Sequence, residues 1–187
     1  MGVGGIQGAT VDHRAVFFDR DGTLNRAVIR DGKAFPPPTV ADFELYPGVP
    51  EALQALKAAG FLLVVVTNQP DVGAGLQRRE EVEQMHARLR ALLPIDDVRV
   101  CYHTEDDRCD CRKPRPEMLR SAARELNINL AASYMIGDRW RDVGAGRHAG
   151  CITIFIRNSY DERQPDDYDL AVDSVLEAVQ AILSNRV

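Results

Sequence analysis

Two aspartates one residue apart follow the apolar run Ala15-Val-Phe-Phe18, in the segment Asp19-Arg-Asp21-Gly-Thr-Leu-Asn25. Alternate side chains of an extended chain face the same way, so Asp19 and Asp21 point at one spot just past the end of a strand. Two carboxylates so close repel unless a cation lies between them, and oxygen donors of this kind suit Mg²⁺. The plain alternative is an Asp-Gly turn. Three further groups decide against it. Thr67-Asn68 ends a second apolar run, Lys113 offers a point charge suited to phosphate, and Gly137-Asp138-Arg-Trp-Arg-Asp142 follows a third run. Three of these four groups stand directly after expected strands. In a parallel sheet such ends share one edge, where open α/β sheets bind their ligands, so the groups converge.

Three of the four cysteines fall within Cys101-Tyr-His103-Thr-Glu-Asp-Asp-Arg-Cys109-Asp-Cys111. Three thiolates and one imidazole complete a tetrahedral set for Zn²⁺ with no open position, so the expected zinc is structural and does no chemistry. Free thiols or a disulfide are the alternatives, and clustering of this kind in a cytoplasmic protein favours metal. Arg112 and Lys113 follow Cys111 directly, so a clamped loop would fix the direction of two cations for phosphate recognition. Cys151 opens an expected core strand and reads as a small buried hydrophobe.

The elements that must position these groups follow from length and pattern. The chain has 187 residues, with 23 Lys+Arg against 28 Asp+Glu and a net charge of −5. That length suggests one domain, enough to bury roughly 70% of its unfolded surface without a disulfide framework. The acidic balance argues against a nucleic-acid binder. No apolar run approaches the ~18 residues of a membrane span, and the Gly-rich start lacks a secretory signal. The expectation is a soluble cytoplasmic protein with a loose tail over residues 1–13. Strands are expected at 14–18, 61–66, 98–102, 133–136 and 152–156. Helices are expected at 51–59, 77–92, 116–126, 140–149 and 174–183, the last capped by Asp173. Strands alternating with helices predict an α/β fold with a doubly wound parallel sheet and right-handed crossovers. The segment 25–46, with Pro36-Pro37-Pro38, reads as a flap or loop. The Gly-rich run 144–149 resembles a dinucleotide fingerprint but lies inside an expected helix, which is the wrong context. His13, His86 and His148 lack a partner pattern and read as surface or half-buried residues. Trp140 reads as packing against the sheet edge.

The order of motifs resembles the haloacid dehalogenase superfamily of phosphotransferases over residues 15 to about 156. Its first motif, DxDGT, stands at 19–23, its second at Thr67, its third at Lys113, and its fourth, an acidic pair after a strand, at Asp138 and Asp142. The resemblance implies a three-layer, Rossmann-like domain over 14–187, and the spacing leaves room for a flap but no large cap. It further implies that Asp19 forms an aspartyl-phosphate while Asp21 protonates the leaving group and then activates water. Mg²⁺ would be held by Asp19, the backbone carbonyl of Asp21 and Asp138, with Asp142 nearby. Thr67, Asn68 and Lys113 would stabilise the phosphoryl oxygens.

The loop ending in Cys-Arg-Lys-Pro (111–114) resembles zinc-containing members that dephosphorylate D-glycero-D-manno-heptose 1,7-bisphosphate or histidinol phosphate. Residues 64–69, 112–119 and 131–138 resemble the heptose type, by which Arg112 would recognise substrate and Thr67 to Gln69 would line the site. The five-residue gap between His103 and Cys109 is nearer the histidinol-phosphate type, segment 25–46 is longer than the heptose pattern, and Pro70 stands where that pattern has Ser. The expectation is a monomeric, Mg²⁺-dependent, zinc-containing phosphatase of a small sugar phosphate, binding neither nucleic acid nor membrane. The alternatives are histidinol-phosphate phosphatase, a nucleic-acid end phosphatase, and a phospho-acceptor signalling domain that holds its aspartyl-phosphate without turnover.

Overall fold

A computed structural model describes residues 12–187. The expected tail lies outside the described residues up to residue 11, and His13 already bridges Ile128. The chain runs β1 (Ala15–Phe18), β2 (Val28–Arg30), β3 (Lys33–Phe35), α1 (Val49–Ala58), β4 (Leu62–Asn68), α2 (Pro70–Gly73), α3 (Arg79–Leu92) and β5 (Asp97–Cys101). It continues with α4 (Glu117–Leu126), β6 (Tyr134–Gly137), α5 (Trp140–Ala149), β7 (Ile152–Ile156), β8 (Leu170–Val172) and α6 (Val175–Leu183). Six strands form one parallel sheet in the order β5-β4-β1-β6-β7-β8, and β2 and β3 form a separate antiparallel hairpin. The α/β architecture is as expected. The chain leaves β1 toward β4 and β5, then returns to β6 on the other side of β1. That reversal is where doubly wound sheets open a ligand crevice.

Alternation along the strands divides the core into two layers. Val16 and Phe18 of β1 face α1, α3 and α6, packing with Leu53, Met85 and Val179. Ala15 and Phe17 face the other way, in the layer of Met118 and Leu119 from α4 and Ala145 from α5. The interior of β4 is Leu-Val-Val-Val, buried on both faces, as a central parallel strand requires. The run 144–149 is indeed helical. At Gly146 an added Cβ would overlap Met135 and Thr153, so this glycine lets α5 lie close on the sheet.

Three features depart from the pattern. The edge strand β8 extends the sheet beyond β7 where none was expected. The flap 25–46 contains the hairpin β2–β3 and buries Phe43. The cap of α6 is Ser174, whose hydroxyl accepts from the Glu177 amide, while Asp173 lies one residue outside.

Two buried polar residues tie the sheet to α3. Arg20 is fully buried, and its guanidinium contacts His86 Nε2 at 3.0 Å. His86 therefore belongs to the interior, deeper than the surface or half-buried position expected for it. Burial, then the charge of Arg20, holds the His86 imidazole down to about 4 from the ordinary 6.5. Between these values the unfolded chain takes up a proton that the folded chain refuses. This stability is complete above pH 6.5 and is lost as pH falls toward 4. Between pH 7 and 4.5 the wild-type chain should lose about 2 kcal/mol more than His86→Gln, read from urea midpoints. Equal losses would remove His86 as the cause. Leu53→Ala should cost about 3 kcal/mol by opening a cavity between α1 and the sheet. Leu92→Ala, at an exposed helix position, should stay within about 0.5 kcal/mol.

Candidate active site

The sheet edge at the ends of β1, β4 and β6 gathers the expected residues. Asp19 continues β1, donating its amide to the Ile136 carbonyl at 2.9 Å. Lys113 reaches the same place from the loop after β5. Its ammonium donates to Asp19 Oδ1 at 2.8 Å, to Asp142 Oδ1 at 2.5 Å and to the Val66 carbonyl at 2.7 Å. Asn68 clamps the lysine backbone from both sides, accepting from the Lys113 amide at 3.0 Å and donating to its carbonyl at 3.1 Å. Asp142 uses its second oxygen to accept the Arg139 amide at 2.9 Å, at the start of α5.

Burial, reinforced by Asp142, pushes Asp19 up to about 6 against the opposing pull of Lys113. Burial would lower Lys113, but the charges of Asp142 and Asp19 outweigh it and raise the ammonium. Burial and the charges of Asp19 and Asp142 push Asp138 well above the carboxylate range. Asp138 Oδ1 accepts from the Thr23 hydroxyl at 3.3 Å, whereas Oδ2 is buried without a well-formed hydrogen bond. Gly22, at φ +89°, passes so close that a Cβ there would overlap this carboxylate.

Asp21 turns away from this group. Arg20 grips it with a fork, Nε to Oδ1 at 3.1 Å and a terminal nitrogen to Oδ2 at 2.8 Å. Asn25 Nδ2 donates to Oδ1 at 2.9 Å and Gln69 Nε2 to Oδ2 at 2.7 Å. Burial favours the protonated acid, but Arg20 and these hydrogen bonds hold Asp21 below its ordinary value. Gln69, expected to line the site, is fully buried, with its amide on Asp21 and the Thr67 hydroxyl. Its side chain follows Thr67 by two residues and so faces the same interior direction.

Two groups fit metal ions by their donor chemistry. Carboxylate oxygens of Asp19, Asp138 and Asp142 lie within 4.8 Å of one another. Three buried carboxylates against one ammonium, with Asp138 Oδ2 lacking a well-formed hydrogen bond, suit a hard divalent cation. Asp142 already has both oxygens engaged, which leaves Asp19 and Asp138 as the freer donors. Ligand atoms of Cys101, His103, Cys109 and Cys111 also lie within 4.8 Å of one another. Their sulfurs are 3.2 to 3.6 Å apart, and His103 Nδ1 is 3.3 Å from Cys111. A tetrahedron with bonds of about 2.3 Å would set sulfurs roughly 3.7 Å apart, so the cluster needs only a small expansion to hold zinc.

Asp19, Asp21, Thr67, Asn68, Arg112, Lys113 and Asp142 line one cavity of about 230 Å³. Asp138 lies beneath it and is buried. The cavity also takes residues that motif reading missed: Lys33 from the hairpin, Asp71 from α2, Arg139 and Arg141 beside the fourth motif, and Glu162. Its charged lining balances Asp19, Asp21, Asp71, Asp142 and Glu162 against Lys33, Arg112, Lys113, Arg139 and Arg141. A bound divalent cation would tip this balance positive. Glu105, within the thiol loop, braces Arg112 at 3.2 Å and Arg141 at 3.8 Å. Trp140 stands between the guanidinium groups of Arg141 and Arg163, outside this cavity.

Residues 38–150 match the family described as haloacid dehalogenase-like hydrolase. A Pasteurella multocida protein named D-glycero-beta-D-manno-heptose-1,7-bisphosphate 7-phosphatase is 40% identical over 147 residues, covering 73% of this chain and 77% of the relative. A protein of the same name from Photorhabdus laumondii is 39% identical over 143 residues, 70% of this chain and 73% of that one. The crystal structure of D,D-heptose 1,7-bisphosphate phosphatase from B. bronchiseptica, complexed with magnesium and phosphate, superposes with a TM-score of 0.76 at 26% identity. It covers 92% of this chain and 99% of that chain. Among the described residues no helix is long and apolar enough to cross a membrane. With its sheet order, its convergent aspartates and lysine, and these relatives, the chain belongs to the haloacid dehalogenase-like hydrolases.

Proposed function

We propose that the chain is a phosphatase of D-glycero-β-D-manno-heptose 1,7-bisphosphate, working with Mg²⁺ at the carboxylates and Zn²⁺ at the thiol cluster. The observation that carries this reading is the division of the cavity's cations. Lys113 is committed to Asp19 and Asp142 at the floor, while Lys33, Arg112 and Arg141 line the same cavity from three other elements. Among the described residues Lys33 makes no ion pair. A substrate with one phosphate at the floor and a second at the rim uses both sets. The relatives' names point to the same substrate. Relatives that are phosphatases leave the phospho-acceptor alternative unsupported, and none of the named ones favours histidinol phosphate.

In this reading Asp19 attacks phosphorus, the bond from phosphorus to the sugar oxygen breaks, and Asp21 gives the leaving oxygen a proton from its protonated form, which its lowered value makes the minor one at neutral pH. Asp21 then takes a proton from the water that attacks the aspartyl-phosphate, which releases phosphate and frees Asp19. Thr67 donates to the phosphoryl oxygens, Lys113 faces them with its charge, and Asn68 holds Lys113 in place. Asp19, Asp138 and the Asp21 carbonyl would hold Mg²⁺, which when bound offsets charge on the transferring group. Zinc would hold the loop that carries Arg112 and Lys113. Free thiols in such a cluster fit a reducing, cytoplasmic compartment.

Phosphate release from a panel of esters with Mg²⁺ should rank the heptose bisphosphate first, and Asp19→Asn should lower turnover by at least ~10³-fold. A preference for histidinol phosphate would overturn the sugar but not the chemistry, whereas labelling of Asp19 without turnover would overturn the enzyme. Cys109→Ser should lose zinc, loosen residues 101–113 to proteolysis and lower kcat/KM roughly 10²-fold by displacing the two cations. Full activity in a zinc-free Cys109→Ser protein would disconnect the cluster from catalysis.

A further inference from the structure

Arg20 stands between the two aspartates of the first motif, and neither the nucleophile nor the acid requires an arginine there. Alternation sends its side chain away from the cavity, into the interior, where it is fully buried. A buried guanidinium is costly unless its donors are all matched. Here each of its three nitrogens is engaged, on two sides. One edge forks onto both oxygens of Asp21, at 3.1 and 2.8 Å, and the remaining terminal nitrogen meets His86 Nε2 at 3.0 Å. We infer that Arg20, held in place by His86, is a positioning residue that fixes the carboxylate of Asp21 for proton transfer to the leaving group. This deepens the phosphatase reading and rests on it, though not on the identity of the sugar.

The geometry separates this role from space filling. A fork onto both carboxylate oxygens sets the plane of the group as well as its position, which a single donor does not. Asn25 and Gln69 add one neutral hydrogen bond to each oxygen, so Asp21 cannot rotate without breaking bonds on both sides. Arg20 is the charged member of this set and the one that reaches both oxygens.

The guanidinium is itself constrained. Because Arg20 only donates, His86 must present a lone pair at Nε2 and carry its proton on Nδ1. Nδ1 faces Glu83 Oε2 at 3.5 Å, and Glu83 Oε1 accepts from the Tyr102 hydroxyl at 2.5 Å. Arg79 lies 3.8 Å from the same Glu83 and over the Tyr102 ring. Tyr102 stands between Cys101 and His103, so the chain of contacts that ends on Asp21 starts at the thiol cluster.

Proton transfer matters in proportion to how badly the leaving oxygen needs the proton. As the phosphorus–oxygen bond breaks, an alkoxide must take the proton from Asp21, whereas a nitrophenolate leaves with the electron pair alone. A residue that only supports folding would affect both esters alike. The test compares kcat/KM for p-nitrophenyl phosphate with that for the primary alkyl phosphate the unchanged, metal-replete enzyme uses best. Arg20→Met, similar in length but without donors, should lower the alkyl value by about 10²-fold and the nitrophenyl value by less than about 5-fold. His86→Leu should act in the same direction, by roughly 10-fold on the alkyl ester, and His86→Gln, whose amide oxygen can accept from Arg20, should recover most of it. Equal losses on the two esters in Arg20→Met, or no loss, would overturn the positioning role and leave the phosphatase reading standing. Should Arg20→Met fail to fold, the His86 pair decides alone: equal activity of the leucine and glutamine variants overturns it. Release of phosphate from neither ester by the unchanged enzyme would overturn the phosphatase reading and this inference together.

Discussion

Three carboxylates, from Asp19, Asp138 and Asp142, are buried together at one sheet edge, and Asp19 and Asp142 share a single ammonium, that of Lys113. Like charges at such spacing in a weakly screened interior repel by several kcal/mol even at an effective dielectric near 20. Burial adds a second penalty, visible in the upward push on Asp19 and Asp138. The arrangement therefore stores a demand for positive charge at one point. Lys113 meets part of that demand, and a divalent cation would meet the rest. A site of this kind also attracts and orients a phosphoryl group, because the cations that neutralise the carboxylates then face a trianionic transition state. Sheet order, loop placement and the thiol cluster can all be understood as means of holding these charges together.

Each charge arrives on a different element, and each element is fixed close to the charge. Asp19 and Asp138 follow neighbouring parallel strands, so ladder hydrogen bonds set their separation. Asp142 sits in the first turn of α5, tied by its own carboxylate to the Arg139 amide. Lys113 comes from a loop with no regular structure of its own, and the strand ladder cannot hold it. Two devices replace the ladder. Asn68 takes both polar groups of the lysine backbone, and the Cys101–Cys111 cluster anchors the loop two residues upstream. The position needing most support is thus the one farthest from regular structure.

Much of this was legible in the sequence because catalytic groups of an α/β sheet follow strand ends, and strand ends follow apolar runs. Some of what was missed was also legible. Val82, Met85 and Leu89 mark the buried stripe of α3, and His86 lies on the same stripe, so helical spacing placed it deeper than the surface or half-buried position expected for it. Ser174 with Glu177 three residues on is a capping-box pattern, which favours it over Asp173. Gln69 shares a face with Thr67. Other features had no local signal. Lys33 comes to the cavity only through the packing of the flap, where Phe43 and Ala34 are buried by distant contacts. Strand β8 is three residues long, too short for any period, and exists because Thr153 and Asp169 exchange hydrogen bonds beside it.

The two metal-type clusters and the rim cations divide the labour in a way that bears on specificity. In the proposed reaction the carboxylates, Lys113 and Asp21 would act on any phosphate monoester, since they would address phosphorus, its oxygens and one leaving oxygen. In that reaction discrimination would fall to Lys33, Arg112 and Arg141, which line the cavity from the hairpin, the thiol loop and α5. Two of these three are not independent. Glu105 lies in the thiol loop and braces both Arg112 and Arg141, so the loop that presents Lys113 to the floor also sets the spacing of cations at the rim. Glu105 is itself exposed, so its ion pairs are weak in water and the braced geometry depends on the backbone of the loop more than on the pairs. With zinc bound, the thiol cluster would fix that backbone. A change in the length of the loop between His103 and Cys109 would therefore shift the rim relative to the floor and alter which second phosphate is reached, while the reaction at the floor stayed the same.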